Sequence, residues 1–228
     1  MVQPLAASES ILPSQTDIDN LQSLLSLQPL ITHYLPWSHS SLSPAGLRAI
    51  ANEVVINHRQ VIVELGGGIS TLVLANLIDS LGAADQQLLT IEHDADWLAV
   101  IERHLANAQK NHCVNLFHAP LTPCPQSLNQ LEWYDLSGVE TWLTAQKIDL
   151  LIIDGPPAYR PEIALARYPA LPVLRQFLAD SCAIFLDDGD RPGEQAIARH
   201  WQEQFQLTFE PIPGNMLRAT LGSSWNIL

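Results

Sequence analysis

The sequence predicts an α/β domain in which a mainly parallel sheet is covered by helices on both faces. Three observations carry this. Short apolar runs rich in branched residues recur between helix-length amphipathic segments; acidic or glycine clusters follow four of those runs; and the chain closes on a hairpin pattern. The 228 residues suffice for one full core with a small N-terminal addition, and 47% hydrophobic with 15% charged residues describes a globular chain.

Residues 1–16, polar and small with Pro4 and Pro13, are expected to be loosely held. Ile18, Leu21, Leu24, Leu25 and Leu27 give residues 17–30 a helical stripe, which Pro29 ends or distorts. The loop 35–44 carries Trp37, His39 and several serines, and Ser43-Pro44 supplies a cap and first-turn pair for a helix to about Asn57. A division near residue 45 separates an N-terminal extension with its helical cap (1–45) from the main domain (46–228).

Residues 61–65 form the first strand, followed by a helix over 70–81. A second strand at 87–92 leads to a helix from about 96 to 108 that Asp94 can cap. The third strand spans 113–118; a polar stretch with Pro120, Pro123 and Pro125 reads as loop before a short helix at 139–146. Residues 148–153 are nearly all apolar and form a fourth strand buried on both faces. A proline-punctuated helical region over 161–179 precedes a fifth strand at 183–186 and a helix at 193–205 behind Pro192. Residues 207–211 and 216–221 pair as an antiparallel hairpin around Pro213-Gly214-Asn215.

Charge and cysteine usage exclude several classes. A formal net charge of -13 with no basic run repels phosphate backbones, so neither nucleic acid nor an anionic membrane is expected as a partner. Cys113, Cys124 and Cys182 are odd in number and lack CxxC spacing, as free thiols of a reducing compartment would. No signal-like block and no run of about 18 apolar residues occurs, so a cytoplasmic location is expected. The chain has no Gly-x-Ser-x-Gly, and Asp188-Gly189-Asp190 is too late and isolated for a phosphatase nucleophile.

In open α/β sheets, ligands bind beyond the C-terminal ends of the strands. The clusters fall there: Glu64 to Gly68, Glu92 to Asp94, Asp154 to Pro157 and Asp187 to Asp190. Gly66-x-Gly68-x-x-Thr71 approaches a dinucleotide fingerprint but lacks its third Gly or Ala. Glu64 beside the turn would oppose a pyrophosphate, whereas it suits an ammonium or sulfonium ligand. Glu92, ending the second strand, is placed for the two hydroxyls of a ribose.

Val63-Glu64-Leu65-Gly66-Gly67-Gly68 resembles motif I of the class I S-adenosylmethionine-dependent methyltransferases, and Ile91-Glu92-His93-Asp94 resembles the acidic loop after their second strand. Their methyl donor carries an ammonium, a sulfonium and a ribose, and no phosphate. The resemblance covers roughly residues 40–221 and implies a Rossmann-like, doubly wound sheet of seven strands in the order 3-2-1-4-5-7-6. Its last strand is antiparallel, in agreement with the tail hairpin. Ile153-Asp154-Gly155-Pro156-Pro157, the segment from Arg167 to Pro172, and Leu186-Asp187-Asp188 resemble a less characterised bacterial branch of small methyltransferases.

By that resemblance Gly66 and Gly68, with Gly67 between them, pass under the methionine and ribose of S-adenosylmethionine, where Ser70 and Thr71 open the next helix. Glu64 interacts with the amino-acid end through water or backbone amides, Glu92 binds the ribose, and His93 lies near it. His118-Ala119-Pro120-Leu121 lies against the adenine. Trp97, on an amphipathic helix, is read as core in preference to a cover for that ring.

Methyl transfer is an in-line displacement whose protein contribution is positioning and activation of the nucleophile. Catechol O-methyltransferase and its relatives hold Mg²⁺ with an Asp after the fourth strand and an Asp-Asn pair after the fifth. The corresponding residues here are Asp154 and Asp187-Asp188, with Asp in place of Asn. A metal so held polarises an acceptor hydroxyl. Competing readings have Asp187 or Asp188 capping the following helix or pairing with Arg191. Asp154, Asp187 and His39 are the candidate catalytic residues, His39 as a general base. Asp154 also counts among the cofactor-binding candidates. Trp37, Trp133 and Tyr134 line an acceptor pocket or pack a lid. Arg160 and Arg167 neutralise an acceptor carboxylate or the aspartates, although solvated ion pairs are the simpler reading.

The expected activity is therefore methyl transfer to a small-molecule acceptor, with a hydroxyl oxygen first. The alternatives are an NAD(P)-dependent oxidoreductase and a non-catalytic S-adenosylmethionine-binding protein. A homodimer through the apolar N-terminal helix is compatible with the pattern.

Overall fold

The computed structural model describes residues 13–32, 34, 36–82, 85–110 and 112–228. The loosely held segment expected at the start lies, for residues 1–12, outside the described residues. Helix α1 (Gln15–Leu27) opens on Ser14 in a reciprocal cap: the Asp17 amide donates to Ser14 Oγ at 3.2 Å, and the Ser14 amide to Asp17 Oδ2 at 3.0 Å. At Pro29 the helix tightens into a 3₁₀ turn over Gln28–Leu30. Helix α2 (Pro44–Ile56) starts behind Ser43, whose Oγ accepts from the Gly46 amide.

The alternation then runs β1 (Val61–Leu65), α3 (Ile69–Leu81), β2 (Gln87–Glu92), α4 (Ala95–Asn107) and β3 (Val114–His118). It continues with β4 (Leu121–Pro123), β5 (Glu132–Tyr134), α5 (Glu140–Ala145), β6 (Ile148–Ile153), α6 (Ala170–Leu174), β7 (Leu178–Leu186), α7 (Pro192–Phe205), β8 (Glu210–Ile212) and β9 (Met216–Leu221). Seven strands form one sheet in the order β3-β2-β1-β6-β7-β9-β8. With the separate β4–β5 pair set aside, this is the expected order 3-2-1-4-5-7-6. β9 runs antiparallel to both β7 and β8.

Strand periodicity builds two cores from one sheet. Ile62, Leu88, Leu150, Ile152, Ala183 and Phe185 face a layer made with α2, α3 and α4. Val63, Leu65, Leu151, Ile153, Ile184 and Leu186 face the other layer, with Trp133, Leu171 and Trp201. Residue 45 lies inside α2, whose Leu47, Ile50 and Val54 are buried against the sheet. Glu53 of that helix is fully buried between Arg59 at 2.8 Å and Arg218 at 2.7 Å, which ties α2 to β9.

Three parts of the chain differ from expectation. The stretch after β3, read as loop, holds β4 and β5, paired from Leu121↔Tyr134 to Pro123↔Glu132. Prolines are tolerated there because a two-stranded pair is all edge. β7 begins at Leu178, five residues before the expected start. It passes through the polar Asp180-Ser181 step with a register irregularity against β6. The helical region over 161–179 is reduced to α6 and two 3₁₀ turns, Pro161–Ile163 and Arg175–Phe177. Pro161, Pro169 and Pro172 deny it a continuous hydrogen-bond ladder.

Candidate functional site

The C-terminal ends of β1, β2, β6 and β7 surround a cavity of about 620 Å³. The glycine turn forms one wall. Gly66 has φ +88, and a Cβ there would stand 2.9 Å from the Asp154 carbonyl, so only glycine fits without strain. Gly67 backs onto Thr90 and Ile101. Gly68 is different: its backbone is extended, and nothing lies within 4 Å of where its Cβ would stand. Its bare face is part of the cavity wall, together with Ser70 from the first turn of α3.

Glu64 lies under this turn, fully buried, and does not line the cavity. Its Oε2 accepts from Thr71 Oγ1 at 2.5 Å and Thr90 Oγ1 at 2.9 Å. Thr71 in turn accepts from the Gly68 amide at 3.1 Å, so Thr71 shapes the turn from below. Burial pushes the Glu64 carboxyl up to about 7, against the hydroxyls of Ser70, Thr71 and Thr90 that favour its charge.

Glu92 reaches the cavity from the end of β2. Its Oε1 accepts from the His93 and Asp94 amides at 2.7 and 2.8 Å and lies 2.7 Å from His93 Nδ1. Among the described residues Oε2 accepts only from the Gly67 amide, at 3.0 Å, and so keeps acceptor capacity for a hydroxyl. Although burial opposes it, these donors hold the Glu92 carboxyl below its ordinary range. The bond to Glu92 raises His93 in turn. His93 lies edge-on to Tyr134, with ring centroids 6.4 Å apart.

Trp97 packs against the core, as expected, and also reaches the cavity. It is half-buried, its indole N–H donates to the Gly67 carbonyl at 2.8 Å, and its ring lines the cavity. Tyr134, expected to line a pocket or pack a lid, is carried by β5 and lines the cavity. Its hydroxyl lies against the backbone of Gly155, where any Cβ would collide with it. That hydroxyl is buried without a hydrogen-bond partner among the described residues, at the cavity wall. His118, Ala119, Pro120 and Leu121 do not line the cavity. They back the Glu92 loop: the Ala119 amide donates to Glu92 O at 2.8 Å, and His118 Nε2 lies 3.1 Å from His93 O.

Beyond the Gly66–Asp154 backbone contact, Asp154, Asp187 and Asp188 bring carboxylate oxygens within 4.8 Å of one another. Burial, joined by the charge of neighbouring aspartates, pushes Asp154 and Asp187 above the ordinary carboxylate range. Arg167 enters the cluster from below. Its guanidinium is 3.2 Å from Asp154 Oδ1 and 3.1 Å from Asp188 Oδ2, and the residue is only 4% exposed. This overturns the solvated reading of Arg167. An arginine embedded in Ala164-Leu165-Ala166-Arg167-Tyr168 was the signal, since a surface cation rarely sits inside an apolar run. Arg160, by contrast, is exposed and lies over the Tyr159 ring. Asp188 also pairs with Arg191 at 2.7 Å, whereas α7 receives no side-chain cap. His39, on an exposed turn, is among the residues that line the cavity, as are Asp188 and Arg191. Trp133 is buried in the core.

A family model described as a methyltransferase domain matches residues 63–189. No curated protein matches the chain. Among solved structures, an S-adenosylhomocysteine-bound methyltransferase from Podospora anserina superposes with a TM-score of 0.59 at 14% identity, covering 95% of this chain and 100% of that one. An O-methyltransferase from Bacillus cereus in complex with S-adenosylhomocysteine gives 0.56 at 17% identity, covering 94% of each chain. An O-methyltransferase from Streptomyces achromogenes, involved in tomaymycin synthesis and bound to S-adenosylmethionine, gives 0.52 at 17% identity, covering 94% of this chain and 93% of that one.

The environment of Glu64 makes stability depend on pH. The folded state holds its proton up to about 7 from an ordinary value of 4.5, so the contribution is present at low pH and is lost as pH rises through that window. The loss is at most about 3 kcal/mol. Urea unfolding across this range should show a shallower decline for Glu64→Gln than for the wild type; identical slopes would refute the assignment.

Proposed function

The chain belongs to the methyltransferase-domain family and is a class I S-adenosylmethionine-dependent methyltransferase, and we propose that it transfers the methyl group to a hydroxyl oxygen of a small-molecule acceptor. The observation that carries the reading is that the glycine turn, Glu92 and the aspartates share one cavity. A donor held on one wall and an acceptor on the other would then meet at near-attack distance.

The wall on the donor side fits the cofactor. Gly68 leaves open space where any side chain would intrude, and Glu92 Oε2 has capacity for a ribose hydroxyl. Trp97, fixed by its bond to Gly67, offers a flat apolar surface beside them. When bound, S-adenosylmethionine supplies an electrophilic methyl on sulfonium. Glu64 acts from beneath the turn, through Thr71 and the backbone, rather than by contact. Gly66, Gly67, Ser70 and His93 complete this wall, and His118 to Leu121 support it from behind.

On the acceptor side, Asp187 is our candidate base, with Asp154 beside it and His39 in the lining of the same cavity. As the acceptor oxygen bonds to the methyl carbon, its proton passes to Asp187, and the sulfur–carbon electron pair stays on sulfur. A carboxyl raised by burial suits a proton taken near neutral pH. A second reading places Mg²⁺ among Asp154, Asp187 and Asp188, favoured by the convergence of their oxygens. The donor set fits it poorly, because Arg167 already occupies the cluster from inside, and no step here runs through a metal.

No helix among the described residues is long and apolar enough to cross a membrane. Three unpaired cysteines support a cytoplasmic setting. The exposed Ile18, Leu21, Leu24 and Leu25 of α1 support self-association through that helix.

Two variants test the reading. Gly68→Leu should fold to within about 1 kcal/mol of the wild type, since its backbone is extended and its surroundings open. Calorimetry should find its S-adenosylhomocysteine binding abolished; unchanged affinity would remove the donor wall from Gly68. For the transfer step, hydroxylated acceptors should yield S-adenosylhomocysteine and the methyl ether. Asp187→Asn should lower kcat by about 10²-fold or more, with little change in the KM for S-adenosylmethionine. In the wild type, kcat/KM should rise with pH as Asp187 loses its proton. Turnover of amine acceptors alone would contradict oxygen as the acceptor atom.

A further inference from the structure

Arg167 is the most completely engaged side chain at the cavity. Its Nε donates to Pro156 O at 3.3 Å, and Nη1 donates to Asp187 O at 3.2 Å and faces Asp188 Oδ2 at 3.1 Å. Nη2 donates to Asp154 O at 3.1 Å and Asp154 Oδ1 at 3.2 Å. A guanidinium has five N–H donors in a fixed fork; here four acceptors take hydrogen bonds from it and Asp188 adds an ion pair, so all three nitrogens are engaged. Three of those acceptors are backbone carbonyls of the loops after β6 and β7. The side chain therefore belongs to the fold and cannot swing aside without leaving buried carbonyls unsatisfied.

This position conflicts with a divalent cation. Mg²⁺ needs six oxygens at about 2.0–2.1 Å in near-octahedral arrangement. An ion at that distance from Asp154 Oδ1 and Asp188 Oδ2 would stand within roughly 5 Å of the guanidinium, in a partly buried site where repulsion is weakly screened. The buried Glu194, with Oε1 at 3.6 Å from Arg167 Nη1, adds a further acid on the protein side of the guanidinium, away from the cavity. The charge is balanced from within.

We propose that Arg167 is the resident cation of the Asp154–Asp187–Asp188 cluster, so that the site takes no divalent metal and methyl transfer needs none. Arg167 is then a positioning residue, holding the aspartates at the distances a metal would otherwise impose. The inference rests on the cavity being the transfer site only where turnover is measured.

The test is titration of Mn²⁺ followed by electron paramagnetic resonance of the free ion, on the full chain. The wild type and Arg167→Lys should leave the free signal unchanged at stoichiometric and tenfold excess protein. Arg167→Met should remove it saturably, with at least tenfold tighter binding, and Arg167→Met combined with Asp188→Asn should lose that gain. Wild-type turnover should be the same before and after EDTA. Uptake of one Mn²⁺ per wild-type chain, abolished by Asp188→Asn, would overturn the proposal, as would loss of turnover in EDTA restored by Mg²⁺. A folded Arg167→Met that gains no Mn²⁺ affinity would show that the guanidinium is not what excludes the metal. If Arg167→Met does not fold, the wild-type and Arg167→Lys titrations decide the point. If no acceptor is turned over, the oxygen-transfer reading fails while the titration still decides this one.

Discussion

The site depends on one close backbone approach, between the turn after β1 and the loop after β6. The Asp154 amide donates to Leu65 O at 2.9 Å and the Gly66 amide to Ile91 O at 2.9 Å, so the sheet ladder extends past the strand ends on both sides of β1. Side chains at the crossing are excluded from both directions. A Cβ on Gly66 would meet Asp154, and one on Gly155 would stand 3.0 Å from Gly66 Cα. Parallel strands side by side thus force a glycine wall and an acidic wall into one cavity. A reaction that joins a donor to an acceptor needs that adjacency.

The second constraint is electrostatic. Four acids at this edge, Glu64, Asp154, Asp187 and Glu194, are raised by burial; hydroxyls offset this at Glu64, and the Arg167 charge offsets it at the other three. Glu64 is held by threonine hydroxyls that also fix the turn, which converts an unfavourable burial into a rigid wall. Asp154 shares the Arg167 fork with Asp188 and with backbone carbonyls. Glu92 shows the opposite arrangement: three amides donate to it, so it stays charged at the cavity although largely buried. The edge therefore carries both an acid held below its ordinary range, Glu92, and acids raised above theirs by burial.

Much of this was legible in the chain. Runs such as 61–65, 87–92 and 148–153 bury both faces, leave no competing period, and reappear with the same bounds. The clusters after them are legible because strand ends in such sheets are where irregular polar backbone is tolerated. β4 and β5 were hidden because three-residue strands carry no period, and their prolines argue for loop. The core packing of Trp97 is legible, but its second contact is not, because amphipathic spacing says which face of a helix is inward and not that this face also meets a cavity. Arg167 is named in the sequence as a partner of the aspartates but ranked behind a solvated ion pair, because its burial depends on backbone carbonyls from two distant loops that spacing does not show. The placing of Glu64 beneath the turn rather than in the cavity follows from side-chain alternation in β1, which the turn residues alone do not reveal.

A crystal structure grown with S-adenosylhomocysteine and manganese, with anomalous data collected, tests the central claim most directly. The ribose should lie on Glu92 Oε2 and the methionine end over Gly68. The Arg167 guanidinium should still lie between Asp154 and Asp188, with no anomalous peak among the three aspartates. An anomalous peak there with Arg167 displaced, or the ligand bound away from the glycine turn, would contradict that claim.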